Sequence, residues 1–305
     1  MNSIYCTVLS SGRLYQAIAF FLSLKQVEDD AVIKTLCMDD AAFDLLHQMN
    51  FPHVDLVHVR ELETPELLEI KKERNDSEYC WTLKPIWIEW LFKQDQAEEL
   101  TYLDADLFFY ESPQVIFQNQ PDASVLLSRG DIVIPSFDPE EVKMLQKLLG
   151  RYNSGFLHFK GDEAGRKCLS WWKIKCLKEC KNAPGEGKFG DQGYLDHMPV
   201  LFEKVEDIQT KGVNIGHWNY GQHSYQEENG RILLEDGSPL ICYHFSGFRI
   251  LSKDDMQQIH EKGRDDLPFF QEAYREVLRH VIESVEQVNP MFNGYAKLEE
   301  DEDGA

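Results

Sequence analysis

Thr101-Tyr102-Leu103-Asp104-Ala105-Asp106-Leu107-Phe108-Phe109-Tyr110 sets two carboxylates one residue apart directly behind an apolar run, with apolar residues resuming at once. The run predicts a buried strand over residues 100–103, so both acids fall at or just beyond its carboxyl end. In an open α/β sheet, ligands bind outside the carboxyl ends of the strands. Hard divalent cations take oxygen ligands, and Mg²⁺ is commonly held by one or two carboxylates plus substrate phosphates. The pair therefore reads as a metal bridge to a diphosphate. The same tripeptide also fits an Asp that caps the turn after a strand.

What precedes this stretch makes it part of a parallel sheet. Ile4–Leu9 (IYCTVL) is apolar and β-branched, ends in Ser10-Ser11-Gly12, and is followed by Leu14, Ile18, Phe21 and Leu22 at helical spacing. Residues 31–38 end in Asp39-Asp40 before a second helix, and residues 54–59 precede Thr64-Pro65 and a third. Successive βα units imply parallel strands joined by right-handed crossovers. A helix over 81–94, with Pro85 in its first turn and Leu83, Trp87, Trp90 and Leu91 on one face, delivers the chain to residues 100–103.

Beyond Tyr110 the pattern changes. Residues 123–127, 132–134, 152–159, 199–202, 212–218 and 240–245 are short strand candidates between Gly- and Pro-bearing loops, which predicts a mixed sheet. From Ser252 onward the sequence reads as helical, with Phe270, Tyr274, Val277, Leu278, Val281 and Val285 as an apolar stripe, before the acidic tail LEEDEDGA. The expected division is 1–250 for a catalytic α/β domain and 251–305 for a helical segment with that tail.

The 305 residues are 43% hydrophobic and 28% charged, the composition of a folded globular chain. Lys plus Arg number 31 against 53 Asp plus Glu, giving −22, a field that repels phosphate backbones and anionic lipid surfaces. A nucleic-acid partner is not expected. No apolar run approaches the roughly 20 residues that span a bilayer, and the N-terminus lacks a basic region followed by a long apolar one. Seven cysteines in no framework spacing read as reduced thiols, and Cys176 and Cys180, with Cys168 nearby, lack the partners of a zinc site. The expected location is the cytoplasm.

Three further segments carry polar chemistry. His244, in Cys242-Tyr243-His244-Phe245-Ser246-Gly247-Phe248, ends an apolar run and precedes small residues that let backbone N–H groups approach a phosphate. Imidazole beside carboxylates suits Mn²⁺ as well as Mg²⁺, while a hydrogen-bonded core histidine fits the same pattern. Asn153-Ser154-Gly155 and Gly190-Asp191-Gln192-Gly193 place hydroxyl-reading side chains on glycine-bearing loops; they also read as plain turns.

In this order the segments resemble the GT-A nucleotide-diphospho-sugar transferases, most closely glycosyltransferase family 8 and its bacterial relatives, from about Ile4 to Phe248. The resemblance implies an α/β fold of the GT-A type, a Rossmann-like mixed sheet flanked by helices with a small C-terminal helical appendage. It implies a metal, Mn²⁺ or Mg²⁺, on Asp104 and Asp106 of the DxD and on His244 of the HxxG. It implies donor-sugar contacts from Asn153, Ser154 and Gly155, and a reacting face lined by Asp191 and Gln192. The nucleotide sugar would lodge against the turn from Thr7 through Ser10 to Gly12, with Gly247 at the phosphates and Lys84 as a basic contact. One departure stands out: family 8 commonly carries a Lys three residues after the HxxG glycine, where this chain has Ile250, with Arg249 adjacent as its substitute.

The activity so implied is transfer of a sugar, UDP-linked, to a hydroxyl acceptor on a glycan, lipid-linked glycan or protein, with retention of configuration. A general base in the acceptor cleft would instead give inversion, and the sequence leaves both open. Beyond residue 250 there are six Lys and Arg against fourteen Asp and Glu, so the last helix is a poor membrane anchor and a better packing or homo-oligomer surface. Two other classes remain: a sugar-nucleotide-binding scaffold without turnover, and a phosphatase of the haloacid dehalogenase type. The latter usually sets its nucleophilic Asp on the first strand, unlike Asp104.

Overall fold

A computed structural model describes residues 3–133, 138–182, 189–258 and 269–296. The chain runs β1 (Ile4–Leu9), α1 (Leu14–Val27), β2 (Val32–Cys37), α2 (Asp40–Met49), β3 (Val54–His58), α3 (Pro65–Lys72), α4 (Asp76–Gln94), β4 (Glu99–Leu103) and β5 (Leu107–Phe109). It continues through α5 (Gln114–Asn119), β6 (Val125–Arg129), α6 (Pro139–Leu149), β7 (Tyr152–Lys160), α7 (Glu163–Lys178), α8 (Met198–Leu201), β8 (Val205–Asp207) and β9 (Ile215–Gly216). Last come β10 (Tyr225–Glu228), β11 (Arg231–Leu234), β12 (Cys242–His244), β13 (Phe248–Ile250), β14 (Met256–Gln258) and α9 (Gln271–Val288).

The main sheet has the order β3-β2-β1-β4-β7-β6-β8. β1 to β4 run parallel, and β7 runs antiparallel to both β4 and β6. Side-chain alternation divides the core between the two sheet faces. Tyr5, Leu9 and Leu103 point to a core shared with α1 and α9; Cys6, Val8 and Tyr102 point to one shared with α4 and α7. A second, three-stranded sheet, β5-β12-β9, is attached through the short link between β4 and β5.

Several elements depart from expectation. Helix α4 starts at Asp76, not at residue 81, because Asn75 and Glu78 form a reciprocal capping box ahead of it. Pro85 therefore sits inside the helix, where it supplies no N–H to the carbonyl of Trp81. Residues 199–202, expected as a strand, fall in and just after α8, whose first turn takes Pro199 with its preset φ. The strand expected over 212–218 shrinks to Ile215–Gly216 because Gly212 and Asn214 have positive φ. Ile132 and Val133 form no strand, and residue 134 lies outside the described residues. Met256–Gln258 folds back on β13 as a hairpin where helix was expected. The acidic tail also lies outside the described residues.

The apolar stripe expected near the C-terminus is buried: Tyr274, Leu278, Val281 and Val285 join the core that holds α1. Tyr274 stacks on Phe245 at 3.6 Å between ring centroids, one residue beyond β12. All seven cysteines are free. No helix among the described residues is long and apolar enough to cross a membrane.

His158 on β7 is buried, with Nδ1 3.0 Å from Thr101 Oγ1 and its ring stacked on Phe117. Burial, reinforced by Lys160, lowers its pKa to about 3, although Glu99 stands 3.8 Å from Nε2. The folded protein thus keeps this imidazole neutral while the unfolded chain takes up a proton near pH 6.5. Between those values the unfolded state binds more protons, so stability falls as pH falls. Urea unfolding at intervals from pH 7.5 to 4 should show a slope containing up to about 1.4 kcal/mol per pH unit from this group, absent in His158→Gln. An identical slope in the variant would refute this assignment.

Candidate active site

The link Asp104-Ala105-Asp106 is a tight connection between two sheets. Asp104 N–H donates to the Gly155 carbonyl at 2.9 Å, and Leu107 N–H returns to the Asp104 carbonyl at 3.2 Å. On the far side, β12 pairs antiparallel with β5 so that His244 stands opposite Leu107, and Phe245 N–H donates to the Asp106 carbonyl at 2.9 Å. That register carries His244 Nε2 to 2.9 Å from Asp106 Oδ1 and 3.9 Å from Asp104 Oδ2. Burial disfavours the charge of Asp106, but His244 and then Arg13 outweigh it and hold the carboxyl well below the usual range. The ligand atoms of Asp104, Asp106 and His244 all lie within 4.8 Å of one another. Two carboxylates and an imidazole form a donor set suited to Mn²⁺ or Mg²⁺, so these residues fit a divalent ion.

Behind this cluster lies Lys84, 1% exposed, on the inner face of α4. Its Nζ is 2.9 Å from Asp104 Oδ1, 3.4 Å from Asp191 Oδ2 and 3.1 Å from Ser154 Oγ. Tyr102 adds its ring 5.0 Å below the ammonium and donates its hydroxyl to Asp104 Oδ1 at 3.0 Å. Burial alone would lower the lysine pKa; the two carboxylates overcome it and the net shift is upward. Asp191 is shifted upward too, by burial and by Asp104, with Lys84 opposing.

Because β7 is antiparallel to β4, its first residues reach the edge where β4 ends. Asn153, Ser154 and Gly155 therefore face the carboxylates, with Asn153 Oδ1 accepting the Gly155 N–H at 2.9 Å. A Cβ on Gly155 would overlap the His244 ring and stand 2.7 Å from its Nδ1, so glycine is what lets the imidazole fit. Gln192 accepts from Ser154 N–H at 3.3 Å and donates to the Leu149 carbonyl at 2.8 Å. Asp191 is fixed through its carbonyl, which accepts the Trp172 indole N–H at 3.0 Å.

A cleft of about 1120 Å³ opens onto Ser10, Lys84, Asp104, Asp106, Asp191 and His244, and also onto Asn153, Ser154 and Gln192. Not every expected residue lines it. Thr7 is buried inside β1, opposite Thr35, on the sheet face of Tyr5 and Leu9. Gly12 lies in the 3₁₀ turn after β1, outside the lining. Gly247 has φ +74° and turns the chain between Ser246, which lines the cleft, and β13. Arg249 lies outside the lining, opposite Gln257 in the β13–β14 hairpin, and Ile250 is buried beside it. Lys84 is in the middle of α4, not at its start.

No protein-family model matches the chain. Over 301 residues it is 58% identical to the uncharacterized protein YfnF of Bacillus subtilis (strain 168), covering 98% of this chain and 99% of YfnF. The chain belongs to the YfnF family. It is also 28% identical over 295 residues to YfnD of the same organism, itself uncharacterized, covering 96% of this chain and 93% of YfnD. Among solved structures, the galactosyltransferase LgtC in complex with donor and acceptor sugar analogs superposes with a TM-score of 0.54 at 12% identity, covering 90% of this chain and 95% of LgtC. That likeness establishes the GT-A fold for this YfnF-family chain.

Sequence reasoning missed three contributors. Arg13 lines the cleft and bonds the Phe248 carbonyl at 3.4 Å and Gln16 Oε1 at 3.0 Å. Asp39 accepts from Ser11 N–H and Ala42 N–H, both at 2.8 Å, tying the turn after β1 to α2. Asn214 accepts from His244. Only the Asp39 cap had a local signal, an Asp at the start of a helical run.

Removing the buried cation should leave Asp104 and Asp191 facing each other uncompensated. Lys84→Met is expected to lose on the order of 3–5 kcal/mol of stability at pH 7 by urea denaturation. Adding Asp191→Asn should recover part of that loss. A double variant no more stable than Lys84→Met would contradict the charge assignment.

Proposed function

We propose that this protein is a metal-dependent glycosyltransferase of the family 8 kind, moving a sugar from a UDP-linked donor to a hydroxyl acceptor with retention of configuration. The observation that carries the reading is the convergence of Asp104, Asp106 and His244 within 4.8 Å at a cleft whose wall holds Asp191 and Gln192. A divalent ion on those three ligands, Mn²⁺ in this reading, would act as a Lewis acid toward the departing diphosphate, contributing several kcal/mol. The free thiols suit the reducing cytoplasm as the place of action.

The chain's own groups divide the remaining work. Arg13 and Lys84 are the Arg and Lys of the described cleft wall, and Lys84 is already held by two carboxylates. Arg13 is exposed, and the hydrogen bonds of its guanidinium, to Gln16 and Phe248, both run through Nη1, which leaves guanidinium donors for a phosphate oxygen. It thereby serves where Ile250 stands in place of the family's Lys. Asn153 and Ser154 stand at the edge where the sugar hydroxyls would be read. Asp191 and Gln192, both anchored by hydrogen bonds, would border the anomeric carbon, and the retaining outcome follows from their resemblance to the family's DQ pair.

The test is thermal unfolding with UDP, GDP, dTDP and CMP sugars, with and without Mn²⁺, followed by turnover of the donor that binds. Ligands well above their dissociation constants raise the midpoint by mass action. A Mn²⁺-dependent rise with a UDP sugar is expected. In Asp106→Asn it should vanish and turnover should fall by about 100-fold or more, since even the outer partners of metal ligands cost 10–100-fold. Unchanged turnover in that variant would sink the metal assignment, and hydrolysis of phosphomonoesters would favour the phosphatase class. Binding without sugar release or transfer would favour a scaffold. Arg13→Ala should raise the donor KM by about tenfold, the cost of one charge-assisted hydrogen bond.

A further inference from the structure

Asn214 lies in none of the segments whose spacing suggested chemistry, yet it is fully buried just ahead of β9, with φ +53°. Left-handed backbone is uncommon for a residue other than glycine, and Asn is among those that tolerate it. The Asn214 amide is engaged at both ends. Its Nδ2 is 2.9 Å from Asn153 Oδ1 and 3.0 Å from Ser128 Oγ, and its Oδ1 is 2.9 Å from His244 Nδ1.

Which end of each amide is oxygen follows from a group that cannot be reversed. The Gly155 backbone N–H can only donate, and it does so to the Asn153 side chain at 2.9 Å, so the atom it meets is oxygen. That oxygen in turn needs a donor from Asn214, which places Nδ2 on the Asn153 side and Oδ1 on the His244 side. An amide oxygen only accepts, so His244 Nδ1 must carry a hydrogen. The ring nitrogen left to face Asp106 and Asp104 is Nε2.

We infer that Asn214 is a positioning residue: its amide oxygen accepts the Nδ1–H of His244, which leaves Nε2 as the nitrogen turned to the cation site, and it ties that orientation to the Asn153-Ser154-Gly155 loop. The inference rests on the metal reading above and concerns how the site is built. The ring has little freedom otherwise, since the bare Cα of Gly155 lies against one side and Trp218 meets it edge-on at 5.3 Å. Packing fixes where the imidazole sits; the amide oxygen fixes a proton on Nδ1. Metal-bound histidines commonly owe their tautomer to such a partner.

The experiment uses the full chain. Asn214→Gly removes the amide at a backbone angle glycine adopts freely, so no strain is introduced. Nitrogen-15 spectra of histidine-labelled, metal-free protein at pH 8, with His244→Gln to assign the signal, should show a proton on Nδ1 of His244 in the wild type and its partial loss in Asn214→Gly. Mn²⁺ binding, followed by electron paramagnetic resonance of the free ion, should weaken 10–100-fold in Asn214→Gly. Asn214→Asp keeps an acceptor for Nδ1–H but turns a second oxygen toward Asn153 Oδ1, so it should keep the proton on Nδ1 and lose the tie to the loop. A wild-type His244 without a proton on Nδ1 overturns the inference without any variant, should Asn214→Gly fail to fold. Wild-type Mn²⁺ binding with unchanged affinity in Asn214→Gly overturns the inference alone, whereas a wild type that takes up no Mn²⁺ overturns the metal reading and the inference with it.

Discussion

A lysine ammonium almost wholly removed from water costs several kcal/mol unless opposite charge surrounds it. Lys84 meets that demand with Asp104, Asp191 and the Ser154 hydroxyl, which come from the link after β4, from the segment after α7 and from β7, while the lysine itself comes from α4. One buried charge thus fixes four separate parts of the chain against each other. It also decides how the acids of the site differ. Asp104 and Asp191 share the lysine, while Asp106 is left to His244 and the open cleft.

The second constraint is strand direction. Had β7 run parallel to its neighbours, its first residues would sit at the opposite edge of the sheet, and Asn153-Ser154-Gly155 would be a strand length from Asp104. Antiparallel pairing instead brings the Gly155 carbonyl onto the Asp104 N–H. The same logic governs β12, where pairing with β5 puts His244 rather than a neighbouring residue at the carboxylates. A slip of one residue would turn the imidazole to the other face. Tyr274 of α9, stacked on Phe245, backs this short strand with apolar packing that hydrogen bonds alone would not provide.

The metal-type cluster was legible in the sequence because both acids occupy one tripeptide and the histidine ends a distinct apolar run. The contributions of Arg13 and Asn214 were not. Arg13 looks like any polar residue at the start of a surface helix until the loop after β12 folds over it. Asn214 carries no motif, and its role exists only because β9, β6 and β7 meet, bringing Ser128 and Asn153 within hydrogen-bond reach. Thr7 shows the opposite error: the turn after β1 does border the cleft through Ser10, but strand parity buries Thr7.

The sequence by itself determined the parallel βα units, the place of Asp104 and Asp106 at the end of a strand, and the apolar stripe of the last helix, because each depends on local periodicity. Tertiary structure alone decided the direction of β7, the register that sets His244 beside Asp106, the burial of Lys84 in the middle of α4 and the hydrogen-bond partner of His244. Those depend on contacts between residues far apart in the chain, where a single Asn or Lys is chosen by the charges and donors that packing brings to it.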